Sequence, residues 1–502
     1  MKVKSNLFSF VNNPDSLFAA IAGFFLIQLF FRHSGIGISP DSVTYLSAAR
    51  NIIQGNGFTS FDNLPVVDFP FAYPFLLTVI SFFTRLDPLQ FGCVLNGLLF
   101  GMLLYISGGI MNGFQNLSGW YKRIMLACIL LSPAIQEVYT LLWSETLFLL
   151  LILLFTVSMT NYLRQSATRW LLVSILLCAF ACLTRYAGVF LIIAGSAMIF
   201  LNRENSWRKR LLHSLSFAIF SASLLFVNII RNRMLTGFAT GPRPKSDTGI
   251  WKIMENFGGV LCDWLLINRT SGMAIFLTII VLLVFALTIV RIESRHKSKY
   301  KFEYVMAFTG LVYCLFMLAT AKLTRYEQFT NRLLSPMFIL LIWSLTWWIP
   351  GFLAGRSYRM KWVYGLSVLI LAAWFLNIQM AADYEYYDGV KDAGVPGYQE
   401  DSFVQSDIVK YLKENTGVLK PGYEVYSNAG DAFYFVTRQP ARQLPYNAFP
   451  DRVRQYYAAK SNYLVWFNDL DNPEMPDLNS ILRNKNMVLL KQLPDGAVYI
   501  TK

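Results

Sequence analysis

SPDSVTYLSAARNIIQGNGF, residues 39–58, directly follows the first hydrophobic run of the chain. Serine followed by proline reads as a helix start, with Ser39 as N-cap and Pro40 at the first helical position, where its missing N–H costs nothing. Asp41 then lies in the first turn, where a carboxylate stabilises a helix through its macrodipole by roughly 0.3–1 kcal/mol and needs no substrate. The same carboxylate at the mouth of a membrane-embedded cavity is also placed to take a proton from a hydroxyl group. Tyr45, Ala48, Ala49 and Ile52 fall on or near one face of the helix Asp41–Gln54, a pattern suited to a helix lying along a membrane surface.

The composition around this stretch sets the class. Of 502 residues, 55% are hydrophobic, 16% aromatic and only 15% charged, with a mean hydropathy of +0.42, which excludes a water-soluble globular protein. The formal charge of +14 is carried by short loops between apolar runs, as membrane topology requires, and no compact basic domain for nucleic acid is visible. Cys93, Cys128, Cys178, Cys182 and Cys314 lie inside apolar stretches and Cys262 near one, so no soluble disulfide framework is indicated. His33, His213 and His296 are scattered and form no metal-ligand spacing. The N-terminal run Leu17–Phe31, preceded by Lys2 and Lys4, has no small-residue cleavage site after it and reads as a retained first span.

At about 20 apolar residues per crossing, spans are expected near 15–32, 69–84, 89–111, 123–142, 145–163, 169–183, 186–202, 211–230, 272–291, 302–320, 333–350 and 361–380. Basic clusters at Lys2/Lys4, Arg203–Arg210, Arg291–Lys301 and Arg356–Lys361 read as cytoplasmic. From residue 203 onward the sides alternate consistently, leaving 231–271, 321–332 and everything after 380 outside. Seven candidates precede residue 203, and an even number is needed, so one does not cross independently; the pair 169–183 and 186–202, split by Arg185, is the expected place. The count is therefore eleven crossings, or thirteen if two are missed. Residues 1–380 form the transmembrane domain, with the first external loop at 33–68.

Residues 381–502 carry 16 acidic and 13 basic side chains, against a strongly basic remainder, and read as a small α/β domain on the outer face. DSFVQSDIVKYLKENTG (401–417) has helical periodicity; YEVYS, YLVWF and MVLLKQLPDGAVYI read as strands, with a hairpin turn at Pro494-Asp495-Gly496.

Other ionisable groups stand out by position. Asp62 and Asp68 share the first loop with Asp41, and Glu145 (LLWSETLFLL) and Arg185 (ACLTRYAGVF) are lone charges in apolar runs, costly unless paired. Asp68, Asp62 and Glu145 are candidate second acids; turn and boundary roles compete for Asp62 and Asp68. Arg231, Arg233, Arg325 and Arg332, with Arg243, Lys245 and Lys322, make an external cationic rim, suited either to anionic lipid headgroups or to a phosphate leaving group.

These residues resemble the GT-C-fold polyprenyl-phosphate-dependent glycosyltransferases, in the branch of the dolichyl-phosphate-mannose protein mannosyltransferases and bacterial aminoarabinose transferase. PDSVTYLSAARNIIQGNGF, DFPFAYPFLL, SETLF with LTRYAGVFL, and RNRMLTGF with NRLLSPMF carry the resemblance, over about residues 15–380. It implies a multi-pass enzyme of the inner (plasma) membrane with an extracytoplasmic site, transferring a sugar with inversion from a polyprenyl-phosphate donor to a lipid, glycan or protein acceptor. Asp41 matches the family's catalytic acid, Arg185, Arg325, Arg332, Arg231 and Arg233 are the candidate donor-phosphate ligands, and Tyr45 and Tyr73 the candidate acceptor or loop contacts. Ser42 stands where many relatives carry a second acid, which leaves the use of a divalent metal open. A transporter or lipid-linked-glycan flippase is the alternative class, disfavoured by the lack of an internal repeat.

Overall fold

The structure is a computed structural model that describes residues 13–112, 119–294, 302–325, 328–353, 357–415, 417 and 422–502. Lys2, Lys4, Arg356 and the basic stretch 295–301, all expected on the cytoplasmic side, lie outside the described residues.

In chain order the hydrophobic part forms α1 (Pro14–Phe30), α2 (Pro40–Ile53), α3 (Ala72–Thr84), α4 (Pro88–Asn112), α5 (Gly119–Leu130), α6 (Pro133–Thr140) and α7 (Glu145–Gln165). It continues with α8 (Thr168–Thr184), α9 (Val189–Leu201), α10 (Trp207–Thr236), α11 (Ile250–Trp264), α12 (Ser271–Glu293), α13 (Phe302–Leu323), α14 (Asn331–Leu353) and α15 (Tyr358–Ala393). Among the described residues six helices, α4, α7, α10, α12, α13 and most of α15, are long and apolar enough to cross a membrane. α1, α3, α8, the segment Tyr186–Leu201 and the first part of α14 are shorter apolar helices.

The expected span 123–142 is not one helix. Pro133 lacks the N–H that would continue α5 and forces Ser132 into an extended conformation (φ −88°, ψ 114°), so α5 stops and α6 begins with that proline. The chain also breaks at Arg185, which is extended (φ −147°, ψ 137°) between α8 and a short 3-10 turn, Tyr186–Gly188.

Contacts divide the chain into two compact units: Met1–Leu29, Val67–Tyr73 and Val94–Asp388 form one, and Phe30–Val66, Pro74–Cys93 and Gly389–Lys502 the other. In the first, sequential helices pack as neighbours, α7 on α8, α9 on α10, α11 on α12 and α13 on α14. Nearly every residue of α7 is buried, as in a helix at the centre of a bundle. Phe148 packs against Phe190, and Phe190 against Tyr313. Small residues let helices close on one another: a side chain at Gly108 would collide with Ser16 of α1, and one at Gly258 with the Ala274 carbonyl of α12.

The second unit contains a five-stranded sheet of β1 (Glu424–Ser427), β2 (Arg442–Gln443), β3 (Asn462–Phe467), β4 (Met487–Leu493) and β5 (Gly496–Thr501), in the order β2-β1-β3-β5-β4. β1 pairs in parallel with β2 and β3, and β5 antiparallel with β3 and β4. Every residue of β3 is buried, so both faces of the sheet are covered. Tyr426, Leu464, Trp466, Ile481 and Tyr499 belong to one core cluster. The expected single helix at 401–417 is two, α16 (Asp401–Val404) and α17 (Asp407–Glu414), and the Asp495 carboxylate in the β4–β5 turn accepts from Ile408 N (3.0 and 3.2 Å) at the start of α17. The remaining helices here are α18 (Gly430–Thr437), α19 (Pro450–Ala458) and α20 (Leu478–Asn484).

Two boundaries differ from the expected ones. α15 runs on to Ala393, past the border expected at 380, and residues 30–66 of the first loop cluster with the C-terminal residues rather than with the helical bundle. The cause is direct bonding: Val395 N donates to Ser34 Oγ (2.9 Å) and Tyr398 N to the Ile38 carbonyl (2.8 Å).

Candidate active site

In the unit that holds the first loop, α2 begins as its sequence dictates. Ser39 N donates to Ser42 Oγ (3.1 Å) and Ser42 N to Ser39 Oγ (3.4 Å), a reciprocal capping box in which serine replaces the usual glutamate or glutamine. Ser42 thus has a structural task. Asp41 is half-buried in the first turn. The helix is buried along most of its length, Tyr45 included, so it is packed within its unit instead of presenting one apolar stripe. Part of that packing comes from α18. Arg50, near the end of α2, is buried and pairs with Asp87.

Asp62 holds a turn: its Oδ1 accepts from Leu64 N at 2.9 Å. Burial pushes its carboxyl above the usual range, against the pull of that backbone bond and of Arg442.

The other unit gathers charges around Glu145. This carboxylate, 2% exposed, pairs with the guanidinium groups of both Arg185 and Arg332. Arg185 also donates to Ser144 Oγ (3.1 Å), which donates to Glu145 Oε2 (3.2 Å). The Arg332 guanidinium lies 4.4 Å from the Trp143 ring centroid. The elements that deliver these groups are the α7 N-terminus, the break after α8 and the first turn of α14. Next to Arg332, Asn331 donates to Glu137 Oε2 (2.7 Å) and accepts from Trp264 Nε1 (2.8 Å), tying α14 to α6 and α11.

The remaining predicted residues are placed as follows. Asp68 is exposed and packs against Gly241, whose φ of +81° and missing side chain make room for it. Tyr73 is fully buried. Arg231 donates to Asn232 Oδ1 (3.0 Å), and Asn232 in turn bonds the Tyr186 hydroxyl (2.9 Å), which donates to the Val67 carbonyl (2.8 Å). Arg233 and Arg325 are exposed; Arg325 N bonds the Pro244 carbonyl (2.9 Å). Among the described residues no three His, Cys, Asp or Glu side chains come together in a way that would hold a metal ion.

Sequence reasoning singled out Glu145, Arg185 and Arg332 one by one, but not that they form one cluster. It passed over Trp143 and Ser144, the two residues before Glu145, and over Glu137, Asn331, Tyr398 and Asp431, which no local pattern marks.

No protein-family model matches the sequence, and no curated protein sequence matches it significantly. Solved structures do. ArnT from Cupriavidus metallidurans in the apo state matches with a TM-score of 0.56 at 11% identity, over 96% of this chain and 97% of that one. The fold is GT-C. ArnT from the same organism bound to undecaprenyl phosphate matches with a TM-score of 0.50 at 12% identity, over 96% of each chain.

Proposed function

We propose that the protein is an integral-membrane inverting glycosyltransferase that moves a sugar from a polyprenyl-phosphate donor to a lipid, glycan or protein acceptor on the extracytoplasmic side of the inner membrane. The observation that carries this reading is the Arg185–Glu145–Arg332 cluster. Two guanidinium groups around one carboxylate leave a net positive charge, and their side chains are 17% and 13% exposed, so they are largely desolvated yet still reachable. In such surroundings a planar donor fork binds phosphate oxygens strongly, and charge developing on a departing phosphate is stabilised most. A GT-C neighbour that binds undecaprenyl phosphate fits the same ligand chemistry.

In the mechanism that follows, Asp41 accepts the proton of the acceptor hydroxyl as its oxygen attacks the anomeric carbon from the face opposite the phosphate. Arg185 and Arg332 hold the departing polyprenyl phosphate, and Glu145 fixes both guanidinium groups in place. Glu145 is thus assigned to orienting the arginines, a narrower role than second acid. Asp62, occupied by its turn, is set aside.

The test is transfer of a radiolabelled sugar from a panel of polyprenyl-phosphate sugars in membranes carrying the wild type or Asp41→Asn. Removing the base should slow transfer by roughly 10²–10⁴. Asp41→Asn transferring at the wild-type rate would end the assignment. Accumulation of intact donor across proteoliposomes without transfer would favour a transporter.

A further inference from the structure

We propose that Tyr398 and Asp431, both in the C-terminal part of the chain, are positioning residues for Asp41. The proposal rests on Asp41 being the base and extends the machinery to side chains that no reading of the transmembrane segments includes.

Three observations within one compact unit converge on it. The backbone after α15 is bonded onto the segment that leads into α2: Tyr398 N to the Ile38 carbonyl (2.8 Å), immediately before the Ser39 cap, and Val395 N to Ser34 Oγ (2.9 Å). Gly397 is held at φ +121°, with its Cα so near the Ile38 carbonyl that any side chain would collide. This chain path is therefore closed to the other residues.

The second observation is the side-chain link. Tyr398 donates its hydroxyl proton to Asp431 Oδ2 at 2.7 Å, and each residue is only 6% exposed. A buried carboxyl is costly unless bonded, and an apolar pair of the same shape would serve packing at least as well. The third is electrostatic. α18, which carries Asp431, packs on α2, and the Asp41 charge acts on both members of the pair. Burial first, then the charges of Asp431 and Asp41, push the Tyr398 hydroxyl well up, so it stays a proton donor.

The pair therefore fixes Ile38, Ile38 leads into the Ser39 cap, and the cap sets the first turn in which Asp41 stands. The C-terminal region is in this way part of the base site rather than an accessory.

The experiment uses the full chain in lipid nanodiscs, with hydrogen exchange of residues 34–43 as a readout independent of activity. Tyr398→Phe keeps the ring and loses the bond, Asp431→Ala loses the acceptor, and Asp431→Asn keeps an acceptor oxygen. Exchange over 34–43 should rise at least about tenfold in Tyr398→Phe and Asp431→Ala, stay near wild type in Asp431→Asn, and stay unchanged in β3 for all three. Where a donor sugar supports transfer, kcat should fall about tenfold in the first two with KM for the donor unchanged, and recover in Asp431→Asn. Wild-type exchange over 34–43 in Tyr398→Phe, or accelerated exchange throughout β3, would overturn the proposal. If Asp41→Asn transfers normally, the base assignment falls separately, and the exchange data still decide whether the pair orders this segment.

Discussion

Arg50 grips Asp87 with two hydrogen bonds, Nε to Oδ2 at 2.7 Å and Nη2 to Oδ1 at 2.8 Å. Asp87 at the same time caps α4, accepting from Leu89 N (3.1 Å) while Gln90 Oε1 accepts from Asp87 N (2.8 Å). One carboxylate thus anchors the end of the helix that carries Asp41 and starts the next long helix. Asp87→Asn keeps the cap but removes the charge, whereas Asp87→Ala removes both. Asp87→Ala should therefore be the less stable by about 1 kcal/mol in thermal unfolding of the detergent-solubilised chain. Arg50→Met should cost less than Asp87→Asn, because Asp87 is 32% exposed and can regain water while Arg50 is 10% exposed and cannot.

Glu145→Gln leaves two desolvated guanidinium groups without their counter-charge. Loss of one partner from such a cluster costs about 3–5 kcal/mol, so the variant should unfold at a clearly lower temperature. A phosphate can supply the missing anion. Added undecaprenyl phosphate should therefore raise the unfolding temperature of Glu145→Gln more than that of the wild type. Equal shifts in the two proteins would argue against phosphate binding at this cluster.

Trp143 lies under the Arg332 guanidinium, 4.4 Å from ring centroid to Cζ. Trp143→Leu keeps an apolar wall and loses the ring's attraction for the cation, worth up to about 2 kcal/mol when desolvated. Binding of undecaprenyl phosphate should weaken about tenfold, the equivalent of about 1.4 kcal/mol. Arg332→Lys should weaken it further, since lysine has no planar fork to serve Glu145 and a phosphate together.

Lys485 gives the C-terminal region a pH dependence. Its ammonium is buried over Tyr456, 4.2 Å from the ring centroid, and burial lowers its pKa from 10.5 to about 8. The unfolded chain then binds the extra proton between about pH 8 and 10.5, so this group's contribution to stability rises with pH across that window. Lys485→Met should be more stable than wild type at pH 7, with the advantage shrinking towards pH 10. Near-ultraviolet circular dichroism of the full chain during thermal unfolding, followed at several pH values, measures it.

Much of the local architecture was legible in the sequence, because it rests on interactions between near neighbours. The apolar runs became helices, Ser39-Pro40 became the start of α2, and the segments YEVYS, YLVWF and MVLLKQLPDGAVYI hold β1, β3 and the β4–β5 hairpin. The single helix expected over 123–142 failed for a local reason that the sequence also contained, Pro133 in mid-run.

What the sequence by itself determined is therefore the class of protein, its apolar helices and strands, and single suspicious charges such as Asp41, Glu145 and Arg185. Only the tertiary structure decided their company. It set Arg185, from the break after α8, and Arg332, from the first turn of α14, on Glu145, gave Asp62 to a turn and Ser42 to a cap, and bonded the first loop to Tyr398. Helix periodicity and capping are written in residues one to four positions apart, whereas a buried charge takes whatever partner the packing of remote segments brings within hydrogen-bond reach.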